Sequence, residues 1–424
     1  MEKNSLIYQS YIKILEEELI PAMGCTEPIA LAYGASRCRD LLGKIPESVK
    51  VYASGSIIKN VKSVVVPNTG GQKGIETAVA AGIIAGVTEK KLEVISEATD
   101  EQVQMIRKYL EESEITVEYL DEGFTFDIIV VEKAGDDEAK VRITNHHTNI
   151  VYEEKNGKIL LENVVKDESE EGLTDRDILN VNDIWEFVTN CDIINIKSLL
   201  DKQIVCNMSI AEEGIRNSYG ANIGSVMLEM RDDVSNRAAA MAAAASDARM
   251  NGCEMPVMIN SGSGNQGITC SVPVIVFARE LQVEEEQLYR ALALSNLIAI
   301  YQKTGIGRLS AFCGAVCAGV AAGAGIAYLK GGGLKEICHT VVNGLAIVSG
   351  IVCDGAKASC AGKIAFSVNA GILGYEMYKR GQQFRDGDGL VVKGADNTIR
   401  NIGRLGKEGM KETNEEIIRI MIGK

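Results

Sequence analysis

The stretch "FTFDIIVVEKAGDDEAKVRITNHHTNIVYEEKNGKILLE", residues 124–162, decides the fold. Its β-branched residues alternate or cluster as strands require, and "KNGK" supplies a tight hairpin turn. Working back, "ITVEYLD" (115–121), "VKVYASG" (49–55) and "VKSVVVP" (61–67) also read as strands. "GIETAVAAGIIAG" (74–86) and "DEQVQMIRKYLEES" (100–113) read as helices at 3.6-residue spacing. Residues 48–172 therefore read as one α+β unit, closing in the acidic stretch "KDESEEGLTDRD" (166–177).

Outside that block the pattern is helical. Residues 6–19 repeat apolar positions at helical spacing, and Thr26-Glu27-Pro28 marks a helix start, because proline is favoured in the first turn. From 173 to 424 strand signals all but vanish, and several helices are built of alanine and glycine. The expected architecture is α+β: a mainly helical domain made of residues 1–47 and 173–424, with the α+β block inserted. At 424 residues the chain is long enough for two such units.

Composition narrows the function. Hydrophobic content of 46% and charged content of 24% are those of a globular protein, and the formal charge is −14. With no long basic run, neither nucleic acid nor an anionic membrane is an expected partner. The acidic N-terminal segment does not resemble a signal peptide, so a cytoplasmic location is expected. "AFCGAVCAGVAAGAGIAYL" (311–329) is uncharged and nearly long enough to span a bilayer, but its small residues predict a closely packed buried helix.

Four features could carry chemistry. "NSGSGNQGITCSVP" (260–273) is a glycine-rich loop before a helix, able to present backbone N–H groups to an anion. It matches neither the dinucleotide fingerprint nor the P-loop. Asn260, Ser261, Gly262, Ser263, Asn265 and Gln266 are its candidate binding residues. "VVVPNTGGQKGIE" (64–76) is similar in style, with Asn68 and Thr69 as binding candidates and Lys73 at the helix start. Two such loops predict one small anionic substrate held between domains. "TNHHTNIV" (144–151) carries His146 and His147, read here as adjacent strand residues facing opposite sides, so that they do not jointly bind one metal. His339 is the third and last histidine.

The fourth feature is cysteine. Eleven cysteines in a cytoplasmic chain are not a disulfide framework, and most should be buried small hydrophobes. Cys25, Cys313 and Cys353 stand at the edges of predicted helices, whereas Cys317, one turn into its helix, reads as core. Zinc favours C-x-x-C hooks, which the chain lacks; an iron–sulfur cluster tolerates dispersed ligands.

"PAMGCTEP" (21–28), "NSGSGNQGITCSVP" (260–273), "SAFCGAVCAGVAAG" (310–323) and "IVCDGAKASCAGK" (351–363), in this order, resemble the L-cysteine desulfidase family, related to the α domain of the iron–sulfur L-serine dehydratases. The resemblance implies a [4Fe–4S] enzyme, without pyridoxal phosphate, that converts L-cysteine to pyruvate, ammonia and sulfide. It carries the cluster ligands to Cys25, Cys313 and Cys353. In the serine dehydratases a proline follows the Cys-Asp pair and the third ligand lies beyond it. Here Gly355 follows Cys353-Asp354 and Cys360 falls earlier, so Cys25 is taken as the third ligand and Cys360 held in reserve. Lys73, His147 and His339 are the candidate bases for the Cα proton. Rival readings are the same elimination from L-serine, a non-enzymatic metabolite-binding protein whose cysteines are core, and a zinc hydrolase. A homodimer is compatible with the sequence.

Overall fold

The hairpin at the heart of the opening stretch forms because β-branched residues alternate across two faces. In the computed structural model, which describes residues 5–121, 123–166, 173–307 and 309–423, eight strands are present: β1 (Pro21–Met23), β2 (Ser48–Ser54), β3 (Glu114–Leu120), β4 (Asp127–Ala134), β5 (Asp137–Thr144), β6 (Ile150–Lys155), β7 (Lys158–Glu162) and β8 (Pro256–Met258). Six of them make a mixed sheet in the order β3-β2-β4-β5-β6-β7, in which only β2 and β3 run parallel. Ile128 and Val130 of β4 and Val141 and Ile143 of β5 face the core. Asn156 and Gly157 both take positive φ in the β6–β7 turn, as the "NG" pair predicts. The fold is α+β, with helices throughout the C-terminal region.

The "VKSVVVP" segment forms no strand of the sheet; Val61 ends a short helix, and Val65 makes only an isolated bridge to Lys73. The two histidines read as strand residues lie in the turn between β5 and β6. The Thr26–Leu42 helix, grouped by sequence with the helical half, packs on the sheet: Arg37 pairs with Glu153 of β6 at 2.7 Å, and Cys38 Sγ lies 3.6 Å from the Val130 carbonyl oxygen. The Leu6–Glu18 helix joins the helical half, where Tyr8 and Tyr11 set their rings at a tilt against Phe187, with centroids at 5.4 and 5.2 Å. Arg176, at the end of the acidic stretch, fixes this helix through Glu18 at 2.9 Å. Residues 167–172 of that stretch, and with them the expected boundary at 172/173, lie outside the described residues.

The alanine- and glycine-rich segment forms the central helix Gly314–Leu329, buried along nearly its whole length. A Cβ on Gly323 would fall 2.5 Å from the backbone of Gly371 in the Ser359–Lys379 helix, so side-chain-free positions bring the two helices into backbone contact. Among the described residues no helix is long and apolar enough to cross a membrane. Around this centre pack the Gly264–Leu281, Glu285–Ile306 and Leu334–Val348 helices. β1 and β8 pair antiparallel, Pro21 opposite Met258, and tie the residues before Cys25 to those before the 260 loop.

One core position works against stability. Glu132 of β4 is fully buried, and neither carboxylate oxygen finds a hydrogen-bond partner among the described residues. Burial pushes its carboxyl well above the usual range, more than nearby Arg39 pulls it down. A carboxyl raised in the folded state binds more protons folded than unfolded, so its contribution declines as pH rises above the unfolded value. Glu132→Gln removes that dependence. The thermal midpoint of the variant should gain on wild type between pH 5 and pH 8; a constant difference would show that the carboxyl is not buried in solution.

Candidate active site

The site is built by backbone first. An isolated antiparallel bridge joins Phe312 to Val352. On either side, the Cys313 N–H donates to the Ile351 carbonyl at 3.1 Å and the Cys353 N–H to the Ala311 carbonyl at 2.6 Å. Cys313 and Cys353 therefore sit diagonally across one short ladder, on the face opposite Phe312 and Val352. Cys313 is also the residue at the mouth of the Gly314–Leu329 helix. Cys25 holds the same position before the Thr26–Leu42 helix. Thr26 Oγ1 donates to the Gly262 carbonyl at 3.1 Å, which draws that helix mouth against the 260 loop.

These pieces enclose a cavity of about 110 Å³ lined by Cys25, Cys313, Cys353 and Cys360 together with Glu27, Lys59, Asn60, Arg249 and Lys303. Ser263, Asn265 and Gln266 of the glycine-rich loop line it too. A broader hollow of about 610 Å³ on the sheet is walled by Lys50, Tyr52, Lys133 and other strand residues and contains no thiol. Cys317 is fully buried and does not line the cavity.

The other expected residues lie elsewhere. Asn68 is buried and donates to the Ile95 carbonyl at 2.8 Å, and Thr69 donates to the Val66 carbonyl at 2.7 Å, so both shape their own turn. Lys73 is exposed. His147 meets the Phe126 ring edge-on at 4.9 Å, and His339 stacks on Tyr378 at 4.1 Å. None of the three lines the cavity. Asn260 donates to Asn296 Oδ1 at 3.0 Å and accepts from Ser261 at 2.9 Å, inside the loop's own framework. Gly262 contributes its carbonyl to Thr26.

Sequence reading passed over the charges. Lys59 is 2% exposed and Lys303 4% exposed, and Arg249 is equally buried. The available signal was a charge inside an otherwise apolar or small-residue helix, "GSIIKNV" for Lys59 and "AAAASDARM" for Arg249. Lys59 donates to Asn414 Oδ1 at 2.7 Å and to the Cys353 carbonyl at 3.4 Å. The Lys303 side-chain amine makes no hydrogen bond or ion pair with the described residues. Burial pushes both ammonium groups down, and the neighbouring thiols oppose this. Burial likewise pushes the Cys25 thiol up to about 12, with Arg249 opposing. The Cys313 thiol is raised by burial and by Cys353 and Cys360. Cations and thiols thus share a site in which each favours the charged form of the other.

The Cys-Asp-Gly turn explains a sequence departure. Gly355 has φ +95°, which proline cannot adopt, and a Cβ there would lie 2.1 Å from the Lys59 carbonyl oxygen. Before it, Asp354 accepts from Lys363 and pairs with Lys357 at 3.3 Å. Burial raises the Asp354 carboxyl, but these lysines outweigh it and hold it below the usual range. Gly355→Ala should cost about 1–3 kcal/mol, read as a lowered urea midpoint. An unchanged midpoint would mean the turn tolerates a side chain.

Among the described residues no three His, Cys, Asp or Glu side chains close around a single metal ion. The serine dehydratase alpha chain family model matches residues 89–419, which include Cys313 and Cys353 but not Cys25. Relatives cover the whole chain. A UPF0597 protein from Desulfitobacterium hafniense strain Y51 is 60% identical over 423 residues, 100% of this chain and 98% of its own. One from Lachnoclostridium phytofermentans is 48% identical across 98% of this chain and 100% of its own, and one from Treponema denticola is 45% identical across 98% of each. With its thiols at two helix mouths and one backbone ladder, and with this match over most of its length, the chain belongs to the serine dehydratase alpha chain family.

Proposed function

We propose that the chain is a [4Fe–4S]-dependent lyase that eliminates sulfide from L-cysteine to give pyruvate, ammonia and sulfide, without pyridoxal phosphate. The observation that carries this reading is the convergence of Cys25, Cys313 and Cys353 on one cavity from three distant segments. Membership of a serine dehydratase-like family supports an amino-acid elimination. The donor set fits an iron–sulfur cluster: the candidate ligands are soft thiols, histidine does not reach the cavity, and the spacing does not suit a single ion. Lys59 would offset thiolate charge, and the helix mouths at Cys25 and Cys313 favour anions. Cys25, Cys313 and Cys353 would hold the cluster, with Cys360 beside them. When bound, such a group supplies an iron with an open position, a Lewis acid with affinity for sulfur.

The chain's own residues supply the rest. Lys303 lines the cavity with no partner to hold its amine, and burial favours the neutral form. We assign it the Cα proton. The C–H electron pair forms the Cα=Cβ bond, and the Cβ–S pair departs with sulfur. The 2-aminoacrylate released becomes an imine, which water hydrolyses to pyruvate and ammonia. Lys59 is held by Asn414 and the Cys353 carbonyl, and so positions the Cys353 backbone. A second reading, the same elimination from L-serine, is favoured by the family's description.

Protein purified without oxygen should contain about four irons and four acid-labile sulfides per chain, and should release sulfide and pyruvate from L-cysteine until exposed to air. Faster pyruvate release from L-serine would establish the second reading; no iron after anaerobic reconstitution would overturn both. Cys25→Ser should lose iron, whereas Cys360→Ser should retain it; the reverse pattern would exchange their roles. Lys303→Met should lower kcat by roughly 100-fold or more with iron content unchanged. Wild-type kcat in that variant would remove Lys303 as the base.

A further inference from the structure

We infer that Arg249 anchors the carboxylate of an α-amino acid, that Gln266 accepts a hydrogen bond from its ammonium group, and that Gly264 seats the guanidinium. The inference rests on the amino-acid reading above and extends it to recognition. Arg249 is 3% exposed and lines the cavity, yet no carboxylate pairs with it among the described residues. A guanidinium stays charged in any protein environment, so burying it without a counter-ion is costly unless an anion joins it. Its Nη1 donates to Asn265 Oδ1 at 3.1 Å, and its Nε has no partner among the described residues.

The guanidinium lies at the mouth of the Gly264–Leu281 helix, 18 residues long, whose Ser263 makes no side-chain cap. The first N–H groups of such a helix have no partner within it and favour an anion. A Cβ on Gly264 would fall 2.2 Å from Arg249 Nε, so only glycine leaves room for the guanidinium there. A second glycine does the same for the second group. Gln266 is 4% exposed, lines the cavity and has an unpartnered Oε1, and its amide lies against Gly314, where a Cβ would fall 2.6 Å from Cδ. One cavity wall therefore presents a cation and helix N–H groups beside a free carbonyl oxygen. That is the complement of a carboxylate next to an ammonium.

The competing role for Arg249 is charge balance for Cys25, whose thiol it favours in the anionic form. The two roles separate by measurement. Anaerobically purified full-length protein is titrated calorimetrically with L-alanine, which has no leaving group, and with ethylamine and propionate, which each lack one of its charged groups. Iron content and thermal midpoint are measured on the same samples. L-Alanine should bind wild type more tightly than either fragment. Arg249→Lys and Gly264→Ala should each weaken L-alanine about tenfold or more, leave ethylamine unchanged and keep iron at the wild-type level. Gln266→Leu should weaken L-alanine and leave propionate unchanged. Wild-type affinity in Arg249→Lys, or iron lost in step with affinity, would overturn the inference, as would wild type that fails to bind L-alanine. Gly264→Ala decides the matter if Arg249→Lys does not fold. L-Alanine binding that depends on Arg249 in a protein without iron would uphold the anchor while the lyase reading fails. Cysteine turnover with an unchanged KM in Arg249→Lys would do the opposite.

Discussion

Burying thiols and cations together is the constraint on which the rest of this structure depends. Cys25 and Cys313 are shielded from water, and so are Lys59, Lys303 and Arg249. Alone, each thiol and each lysine would be pushed further toward its neutral form; side by side, the cations and the thiols oppose one another's shifts. That mutual dependence requires segments hundreds of residues apart to hold a fixed spacing. The β1–β8 pairing and the Phe312–Val352 bridge supply it through the main chain, whose geometry varies less than that of side chains, and the Thr26 hydroxyl adds its bond to the Gly262 carbonyl.

Small residues make the rigidity possible. Where the Gly314–Leu329 helix crosses the Ser359–Lys379 helix the backbones touch, leaving little freedom for sliding. The same device recurs at the cavity, where Gly264, Gly314 and Gly355 each stand against another residue's atoms. Glycine here acts as an absence of volume into which a guanidinium, an amide or a carbonyl fits. A wall so made is pre-organised, and pre-organisation gives a small site its affinity and selectivity.

Much of the fold was legible. Period-two patterning marked β4 to β7, and alanine and glycine marked the buried central helix. The Thr26–Leu42 helix was harder: it is buried on almost every side, so its pattern carries no preferred face to say which neighbour it meets. The β5–β6 turn was read as strand because histidine and threonine flank β-branched residues, and only the ladder register shows where pairing stops. Ser263, Asn265, Gln266 and the thiols, named from motif and position, line one cavity. Lys73, His147 and His339 were named for their chemistry, and chemistry alone does not say where a side chain lies.

By itself, then, the sequence determined the class of the fold, the helix mouths at Cys25 and Cys313 and the turn at Gly355, because those follow from local propensity and spacing. Only the tertiary structure decided that Cys25 lines the same cavity as Cys313 and Cys353, that the Lys303 amine has no partner there among the described residues, and that Arg249 lies over Gly264. The physical reason is that burial and encounter are properties of distant pairs. A lysine on a helix reads the same whether that face meets water or a cavity of thiols, until the chain has closed around it.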